Sequence, residues 1–242
     1  MTIDPRLSEL VRRNLQRVQE RIDRAAEAAS RDPGKIRLIG VSKYVGPEAT
    51  AALAAAGCRC LGESRPQQLW EKAESSELTA IEGIEWRLIG HLQRNKVAKT
   101  VAVADSIDSV DSRRLLSAID REAAAVQKQQ RVLLEVNISG EPEKHGFTAA
   151  DLPGVLQELG QWPHVEVCGL MAMAAREGGA AVARENFAAL RELRESLASS
   201  APDGVTLDEL SMGMSGDLEQ AIQEGSTLVR VGSALWEGIE RG

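Results

Sequence analysis

Cysteine is scarce in this chain of 242 residues, and no apolar run approaches the length of a membrane span. There are three cysteines, Cys58, Cys60 and Cys168. They are too few for a disulfide framework, and an odd number cannot all be paired. Cys58 and Cys60 also lack the two-residue spacing of zinc and thioredoxin motifs, so all three are interpreted as small buried apolar residues. The first residues contain no apolar signal core. These absences predict a cytoplasmic protein that does not act at a membrane.

Positive charge is also in deficit, because 29 Lys and Arg residues face 36 Asp and Glu residues and the net charge is −7. An acidic chain is poorly suited to nucleic acid or to an anionic membrane surface, so neither is predicted as the main partner. The sequence has no low-complexity linker and no long apolar stripe that would mark an interface. We therefore predict a single domain over residues 1–242 and a monomer.

What the chain does contain is a regular alternation of short apolar strands with Ala- and Leu-rich helices. Apolar residues at three- and four-residue steps predict a first helix over residues 1–31, which Asp32-Pro33-Gly34 ends. The eight predicted strands are Ile36–Ser42, Cys60–Gly62, Trp86–Gly90, Ser106–Val110, Arg131–Asn137, Val165–Met171, Leu207–Leu210 and Leu228–Val231. The pattern predicts an α/β fold, a single (β/α)8 TIM barrel with the extra N-terminal helix packed on it, and an open doubly wound sheet is the alternative. In both folds the functional residues follow the carboxyl ends of the strands.

Lys43 directly follows the first predicted strand. A buried ammonium is costly, and a desolvated lysine amine is a nucleophile that forms Schiff bases with carbonyl compounds. The alternative is a lysine whose charged end extends from the strand end into solvent. Position alone does not separate these two interpretations.

Small hydroxyl residues and glycines follow the last two strands, where barrels of this kind commonly bind a phosphate group. These residues are Ser211, Gly213, Ser215 and Gly216 after strand seven, and Gly232 and Ser233 after strand eight. Glycines let backbone amides approach a phosphate closely. Ser215 and Asp217 could instead simply cap the following helix, but two such loops in the expected barrel positions favour phosphate binding.

Arg230 precedes the second of these loops and needs a hydrogen-bonding partner if it points into the barrel. Candidate partners are a carboxylate such as Glu63 or Asp217, the phosphate, or a heteroaromatic nitrogen. An amine, a phosphate loop and an inward arginine together indicate pyridoxal 5'-phosphate (PLP), with Lys43 capturing its aldehyde. A permanently protonated arginine at the pyridine nitrogen would weaken the ring as an electron sink.

The three histidines do not predict a metal site. His145 and His164 show no metal-ligand spacing with cysteine or with each other. His91 follows a strand and is interpreted either as a pocket-lining residue or as a cap or packing residue at the next helix. No metal ligand is therefore assigned.

Several segments, taken in order, resemble those of the pyridoxal phosphate homeostasis proteins. They are Val41-Ser42-Lys43, Gly62-Glu63-Ser64-Arg65, Ile89–Lys96, Ser109-Val110-Asp111, Lys144-His145-Gly146, Gly169-Leu170-Met171, Leu210–Ser215, Gly225-Ser226-Thr227 and Val229–Ser233. The resemblance covers nearly the whole predicted barrel. It departs from the family at Ser64, where asparagine is usual, at Tyr44, where threonine is frequent, and over Leu235–Arg241, which is only loosely similar.

The resemblance implies a barrel like that of alanine racemase with PLP bound to Lys43 as a Schiff base. It places Ser211, Ser215, Gly232 and Ser233 on the phosphate side and Arg230 at the ring nitrogen or phosphate. It implies a homeostatic role without established catalytic turnover, so no catalytic residue is assigned, and it makes apo forms of PLP-dependent enzymes candidate partners. Spacing does not settle whether another lysine, such as Lys144, offers a second aldehyde site.

Three functions stay open from the sequence: a PLP-binding protein, an amino-acid racemase, and a cofactor-free sugar-phosphate isomerase. Racemisation needs a base on each face of a planar carbanion, and Tyr44, the only tyrosine, is adjacent to Lys43. We therefore favour the binding protein. Absorbance of the purified protein separates the isomerase from the other two, and assay of amino-acid racemisation separates those two.

Overall fold

The structure is a computed structural model that describes residues 3–202 and 205–239. The bounds of the predicted domain, residues 1 and 242, lie outside it, as do Glu240 and Arg241 of the loosely family-like segment. Eight parallel strands follow one another around a closed barrel: β1 (Arg37–Val41), β2 (Cys60–Glu63), β3 (Glu85–Leu88), β4 (Ser106–Val110), β5 (Gln130–Glu135), β6 (Val165–Met171), β7 (Glu209–Met214) and β8 (Leu228–Val231). The predicted barrel is confirmed, and the open sheet is wrong because Gly40 pairs with Val231 across the seam between β1 and β8.

Helices surround the barrel and cover the outward faces of its strands. They are α1 (Pro5–Ala28), α2 (Pro47–Ala55), α3 (Pro66–Ala73), α4 (Ser76–Thr79), α5 (Val97–Val103), α6 (Arg113–Ala125), α7 (Leu152–Gln157), α8 (Gly179–Ala198) and α9 (Leu218–Gln223). The sequence did not predict α4 as a separate helix, because one turn is too short to show a helical period. Among the described residues, no helix is both long enough and apolar enough to cross a membrane.

The N-terminal helix α1 forms where its sequence supplies a cap and an apolar face. The Asp4 carboxylate accepts a hydrogen bond from the Arg6 amide at 2.8 Å, and Pro5 occupies the first helical position. Val11, Val18 and Ile22 are buried on one face, where α1 packs against α2 and α9. The predicted extra helix is confirmed over residues 5–28, and its contact with α9 brings it next to the loop after β7.

Two of the three cysteines are buried, as predicted. Burial raises the pKa of both Cys58 and Cys60 to about 12, which keeps their thiols protonated and unreactive. Cys168 is only half-buried, and its sulfur accepts a hydrogen bond from Nε of Arg131 at 3.4 Å. The prediction of full burial is therefore wrong for Cys168, which contacts charged groups inside the barrel.

Strand β7 extends further than predicted, and this changes the position of two candidate residues. The predicted strand was Leu207–Leu210, whereas the observed strand runs to Met214 and includes Ser211 and Gly213. The register with β8 shifts between Ser211 and Met214, where Gly213 has φ of +92° and an added Cβ would lie 2.4 Å from the Ala221 Cβ. A glycine that bends the strand resembles a loop residue in the sequence, so the end of β7 could not be located from periodicity.

A layer of ion pairs fills the barrel below the mouth. Arg87 is fully buried and donates to Asp108 at 2.9 and 3.0 Å, to Glu85 at 2.9 Å and to Glu209 at 2.5 Å. Arg131 donates to Glu209 at 2.5 Å. Because β3 and β7 are not neighbours, the bond between Arg87 and Glu209 crosses the barrel interior. Burial alone would raise the pKa of Glu209, but hydrogen bonds and charge from Arg87 and Arg131 outweigh it and lower that pKa.

Candidate functional site

Lys43 lies in the turn directly after β1, at the mouth of the barrel. Its side chain is half-buried, and its Nζ lies 4.9 Å from the centre of the Tyr44 ring. Tyr44 itself is 42% exposed. Among the described residues, no carboxylate forms an ion pair with Lys43. The amine therefore lies beside an aromatic ring, without an anionic partner among the described residues that would occupy it.

The backbone on the N-terminal side of Lys43 is fixed by groups from three other elements. The Ser42 carbonyl accepts from Nζ of the buried Lys72 at 2.7 Å, and the Val41 carbonyl accepts from the Trp236 indole at 2.7 Å. The Ser42 hydroxyl and the Lys72 ammonium both donate to Oε1 of the buried Glu63, at 3.0 and 2.7 Å. Burial lowers the pKa of Lys72, although the nearby Glu63 carboxylate opposes this. This network holds the strand end, and hence the position from which Lys43 extends.

The loops after β7 and β8 touch each other at the mouth. Oγ of Ser215 accepts a hydrogen bond from the Gly232 amide at 3.3 Å, so its own proton stays available for donation. An added Cβ at Gly216 would have no atom within 4 Å, which means that the backbone there borders open space. Ser233 is exposed next to Gly232. The structure thus brings together Ser215, Gly216, Gly232 and Ser233 in a small polar surface rich in glycine and hydroxyl groups.

Neither Ser215 nor Asp217 caps α9 with its side chain. Asp217 occupies the N-cap position of that helix without a side-chain capping bond, and its carboxylate instead accepts from the Met214 amide at 2.5 Å. The interpretation of these residues as simple helix caps is therefore wrong. The Asp217 carboxylate shapes its own loop, and the Ser215 hydroxyl joins that loop to the one after β8.

Helix α1 contributes a contact to this loop that the sequence did not reveal. Arg21 donates to the Ser215 carbonyl at 3.0 Å and to both carboxylate oxygens of Glu219, at 2.9 and 3.1 Å. Its side chain is 30% exposed. The N-terminal helix thus fastens the loop after β7 from outside the barrel.

Arg230 points into the barrel and is almost fully buried. It donates to Oγ of Ser211 at 2.8 Å and to the Ala172 carbonyl at 2.9 Å, which uses two of its five N–H groups. Burial lowers the pKa of Arg230 below its usual value. Among the described residues, no carboxylate lies within ion-pair distance, and Glu63, one suggested partner, is bonded to Lys72 instead. Ser211 therefore lies against the guanidinium inside β7 rather than in the loop where the sequence placed it.

A second group of polar residues occupies the rim at β3, β4 and β5. Nδ1 of His91 lies 3.2 Å from Oδ2 of Asp111, and the rings of His91 and His145 stack with centres 4.4 Å apart. His91 does not cap the following turn, whose N-cap is Gln93. Burial raises the pKa of Glu135, and the charge of Asp111 adds to this effect. The grouping joins residues far apart in the sequence, so chain spacing gave no signal of it.

Lys144, considered as a second aldehyde site, has no amine group free for such chemistry in this arrangement. Its Nζ donates to the Ala174 carbonyl at 2.7 Å and to the Ser139 hydroxyl at 3.0 Å, and it forms an ion pair with Glu141. These three partners match the three N–H groups of an ammonium. Lys144 thus braces the loop after β5, in contrast to Lys43.

Comparison with known proteins gives consistent matches over almost the whole chain. The family model of the alanine racemase N-terminal domain matches residues 13–239. A Pseudomonas aeruginosa protein named pyridoxal phosphate homeostasis protein is 37% identical over 230 residues, which cover 95% of this chain and 96% of that protein. A protein of the same name from Aquifex aeolicus is 38% identical and covers 92% of this chain and 95% of its own length.

Solved structures agree with these sequence matches. PipY of Synechococcus elongatus, in a structure with PLP bound, is 37% identical, has a TM-score of 0.77 and covers 89% of this chain and 99% of its own. An alanine racemase from Streptomyces coelicolor is only 17% identical, with a TM-score of 0.74, and covers 95% of this chain but 58% of its own. The racemase therefore shows likeness of fold alone.

Proposed function

Because this chain belongs to the pyridoxal phosphate homeostasis proteins, a family built on the alanine racemase N-terminal domain, we propose that it binds PLP at the barrel mouth and serves intracellular PLP homeostasis. One observation carries this proposal. The pairing of β7 with β8 and of β8 with β1 places the turn of Lys43, the two glycine- and serine-containing loops and Arg230 on three adjacent strands. Lys43 would bind the aldehyde of PLP, the two loops its phosphate, and Arg230 its pyridine nitrogen.

The donors at the mouth suit the phosphate and the aldehyde of PLP. Ser215 has a proton to donate, Gly216 borders open space, and Gly232 and Ser233 follow on the adjacent loop. Small residues of this kind let oxygen atoms of a phosphate approach the backbone. Lys43 would hold the aldehyde as a Schiff base, since its amine has no competing carboxylate among the described residues.

The presence of Arg230 favours a binding role for the protein over a catalytic one. PLP supplies an electron sink when it is bound to a protein, and the sink is strongest when the pyridine nitrogen is protonated. An arginine has no proton acceptor and keeps its own proton at neutral pH, so it would leave that nitrogen unprotonated. We propose that Ser211 acts on the cofactor through Arg230, by fixing the guanidinium, and does not contact the phosphate directly.

The alternative function is that of a PLP-dependent amino-acid racemase. It requires a second base across the cofactor from Lys43. Tyr44 is the only tyrosine, and its ring centre lies 4.9 Å from Nζ of Lys43. Tyr44 directly follows Lys43 in the turn after β1 and contacts it, so it is poorly placed to act on the opposite face of a cofactor. We therefore propose a binding protein, with apo PLP-dependent enzymes as the recipients of its cofactor.

The test loads the purified protein with PLP, removes the excess by gel filtration and divides the sample in two. One half is incubated with L-alanine and other L-amino acids in D2O, and the other with an apo PLP-dependent enzyme. We expect no D-amino acid and no deuterium at the α-carbon, and we expect the apo-enzyme to gain activity. Racemisation in the first half would replace the binding role by the racemase, and failure to retain PLP would favour the cofactor-free isomerase.

Arg21→Met should weaken PLP binding, although Arg21 lies outside the barrel. The change removes the bond from Arg21 to the Ser215 carbonyl and so loosens the loop proposed to hold the phosphate. A charge-assisted hydrogen bond contributes about 1.5 kcal/mol at the lower end of its range, and partial exposure reduces this to about 1 kcal/mol. We expect the dissociation constant for PLP to rise about fivefold. Fluorescence titration measures it.

The matched control for that experiment is Arg12→Met. Arg12 also lies on α1, but among the described residues it bonds only to Glu9 of the same helix, and its side chain is 58% exposed. PLP affinity should not change in this variant. An equal loss of PLP affinity in both variants would mean that α1 affects binding through the general stability of the protein. No loss in Arg21→Met would mean that the contact from α1 to the loop after β7 does not contribute to PLP binding.

A further inference from the structure

Two imidazoles and a carboxylate meet on the rim of the barrel away from the proposed PLP site. His91 follows β3, Asp111 follows β4 and His145 lies in the loop after β5. Nδ1 of His91 and Nδ1 of His145 lie 3.2 and 3.9 Å from the same oxygen, Oδ2 of Asp111. One ligand atom from each of the three residues lies within 4.8 Å of the other two. In an eight-stranded closed barrel β4 is opposite β8, so this cluster faces the phosphate side across the mouth.

The distances suit a single divalent ion. Two histidines and one carboxylate form the ligand set of many metal sites that keep an open position for water or a small ligand. Metal–ligand bonds of about 2.0–2.2 Å place neighbouring ligand atoms roughly 3.0–3.4 Å apart around the ion. The pair of His91 and Asp111 already has this separation, and His145 has to approach Asp111 by less than 1 Å.

Neighbouring side chains hold two of the three residues in this arrangement. The Ser112 hydroxyl donates to Oδ1 of Asp111 at 3.0 Å, which directs the other carboxylate oxygen towards the imidazoles. The Ser109 hydroxyl donates to the Gly90 carbonyl at 2.6 Å, directly before His91. Such outer contacts orient metal ligands and contribute to metal affinity.

The loop that carries His145 is also fixed to the barrel. The Phe147 amide donates to the Glu135 carbonyl at 2.8 Å, and the Asn137 amide donates to the Phe147 carbonyl at 3.0 Å. Gly146 has φ of +124°, and an added Cβ would lie 2.6 Å from the Asn137 amide nitrogen. Only glycine permits this close return of the chain, so the position of His145 above β5 is built into the fold.

The two imidazole rings now stack with an angle of 18° between their planes. A bound ion lies in the plane of each ring that ligates it, so both rings have to turn about their Cβ–Cγ bonds. The side chains of His91 and His145 are 46% and 62% exposed, and solvent-exposed side chains turn readily. The carboxylate of Asp111 is only 11% exposed and supplies the fixed part of the site.

We propose that His91, Asp111 and His145 bind a divalent first-row metal ion of the Zn²⁺ type at this rim. The ion would keep at least one open position towards solvent at the barrel mouth. The site is distinct from the proposed PLP site, because none of its residues belongs to the group around Lys43 and Arg230.

The test uses untagged protein freed of PLP and of metal. Zn²⁺ is titrated in competition with a chromophoric chelator, and Co²⁺ absorbance reports the ligand field. We expect one ion bound per chain in the wild type and a loss of affinity of at least about tenfold in His91→Ala, in His145→Ala and in the isosteric Asp111→Asn. Circular dichroism and the melting temperature of the same samples show whether the variants are folded.

His164→Ala is the matched control. His164 is similarly exposed, at 43%, and its Nδ1 lies 3.4 Å from Asp120, but no third ligand completes a cluster there in the described part of the chain. Its removal should leave Zn²⁺ affinity unchanged. Equal affinity in the wild type, His91→Ala and His145→Ala would overturn the proposal and leave an ion pair beside a ring stack. An equal loss in His164→Ala would also overturn it, since binding would then be unspecific.

Discussion

Lys43→Ala is expected to abolish the near-visible absorbance of the PLP-loaded protein and to leave its fold intact. The absorbance requires a Schiff base between the cofactor and an amine, and Lys43 is the lysine that directly follows β1 at the proposed site. Its side chain is half-buried and has no ion-pair partner among the described residues, so its loss should cost less than about 0.5 kcal/mol. For a chain of this size that corresponds to a change in Tm of less than about 2 °C.

Two control variants test whether the absorbance requires the amine of Lys43 itself, rather than a positive charge there or any lysine. Lys43→Arg keeps the positive charge but cannot form a Schiff base, so it should lose the absorbance as well. Lys99→Ala removes a lysine that is 50% exposed and pairs with Glu74 on the surface, and the absorbance should persist. Retention of the band in Lys43→Ala would place the Schiff base on another lysine and remove the basis for the proposed site.

Arg87→Leu should produce the largest loss of stability in the chain. The substitution removes the cation that joins Asp108, Glu85 and Glu209 inside the barrel. Arg131 still donates to Glu209, but the buried Asp108 loses its one ion-pair partner among the described residues. Removing one partner of a buried ion pair costs about 3–5 kcal/mol. That corresponds to a fall in Tm of about 6–20 °C, which calorimetry or thermal circular dichroism measures.

A substitution in a surface ion pair provides a reference for the loss of stability expected in Arg87→Leu. Arg113→Leu breaks a bond to Glu158 at 2.7 Å, but both side chains are more than a third exposed, so the loss should stay below about 1 kcal/mol. Adding Asp108→Asn to Arg87→Leu should recover part of the stability, because one uncompensated charge disappears. A loss in Arg87→Leu no larger than that in Arg113→Leu would mean that the interior layer is hydrated.

The sequence predicted the barrel because strands that are covered on both faces appear as short continuous apolar runs between helices. The bounds of β4, β6 and β8 agree with the predictions at every residue, and the alternation with helices was enough to place Lys43 and Arg230 at strand ends. The prediction of where β7 ends was wrong because Gly213 bends the strand while its pairing with β8 continues. Ser211 was consequently assigned to a loop, although its hydroxyl bonds to Arg230 inside the barrel.

The polar contacts outside the mouth could not be predicted, since each depends on tertiary packing. Lys72 occurs in a helical segment and resembles a solvated surface lysine in the sequence, yet it is buried against Glu63 and the carbonyl of Ser42. Arg21 lies on the polar side of α1, and nothing in the sequence links it to Ser215 across 194 residues. Such pairs require the fold before they can be recognised.

The measurement that tests the proposed function most directly is borohydride reduction of the PLP-loaded protein followed by peptide mapping. Reduction converts a Schiff base into a stable amine, which keeps the pyridoxyl phosphate mass on the lysine that carried it. We predict that the added mass lies on Lys43 and that Lys144, whose ammonium is bonded to Ser139 and Ala174, stays unmodified. A label on Lys144 or another lysine, or no label at all, would contradict the proposed anchoring of PLP at Lys43.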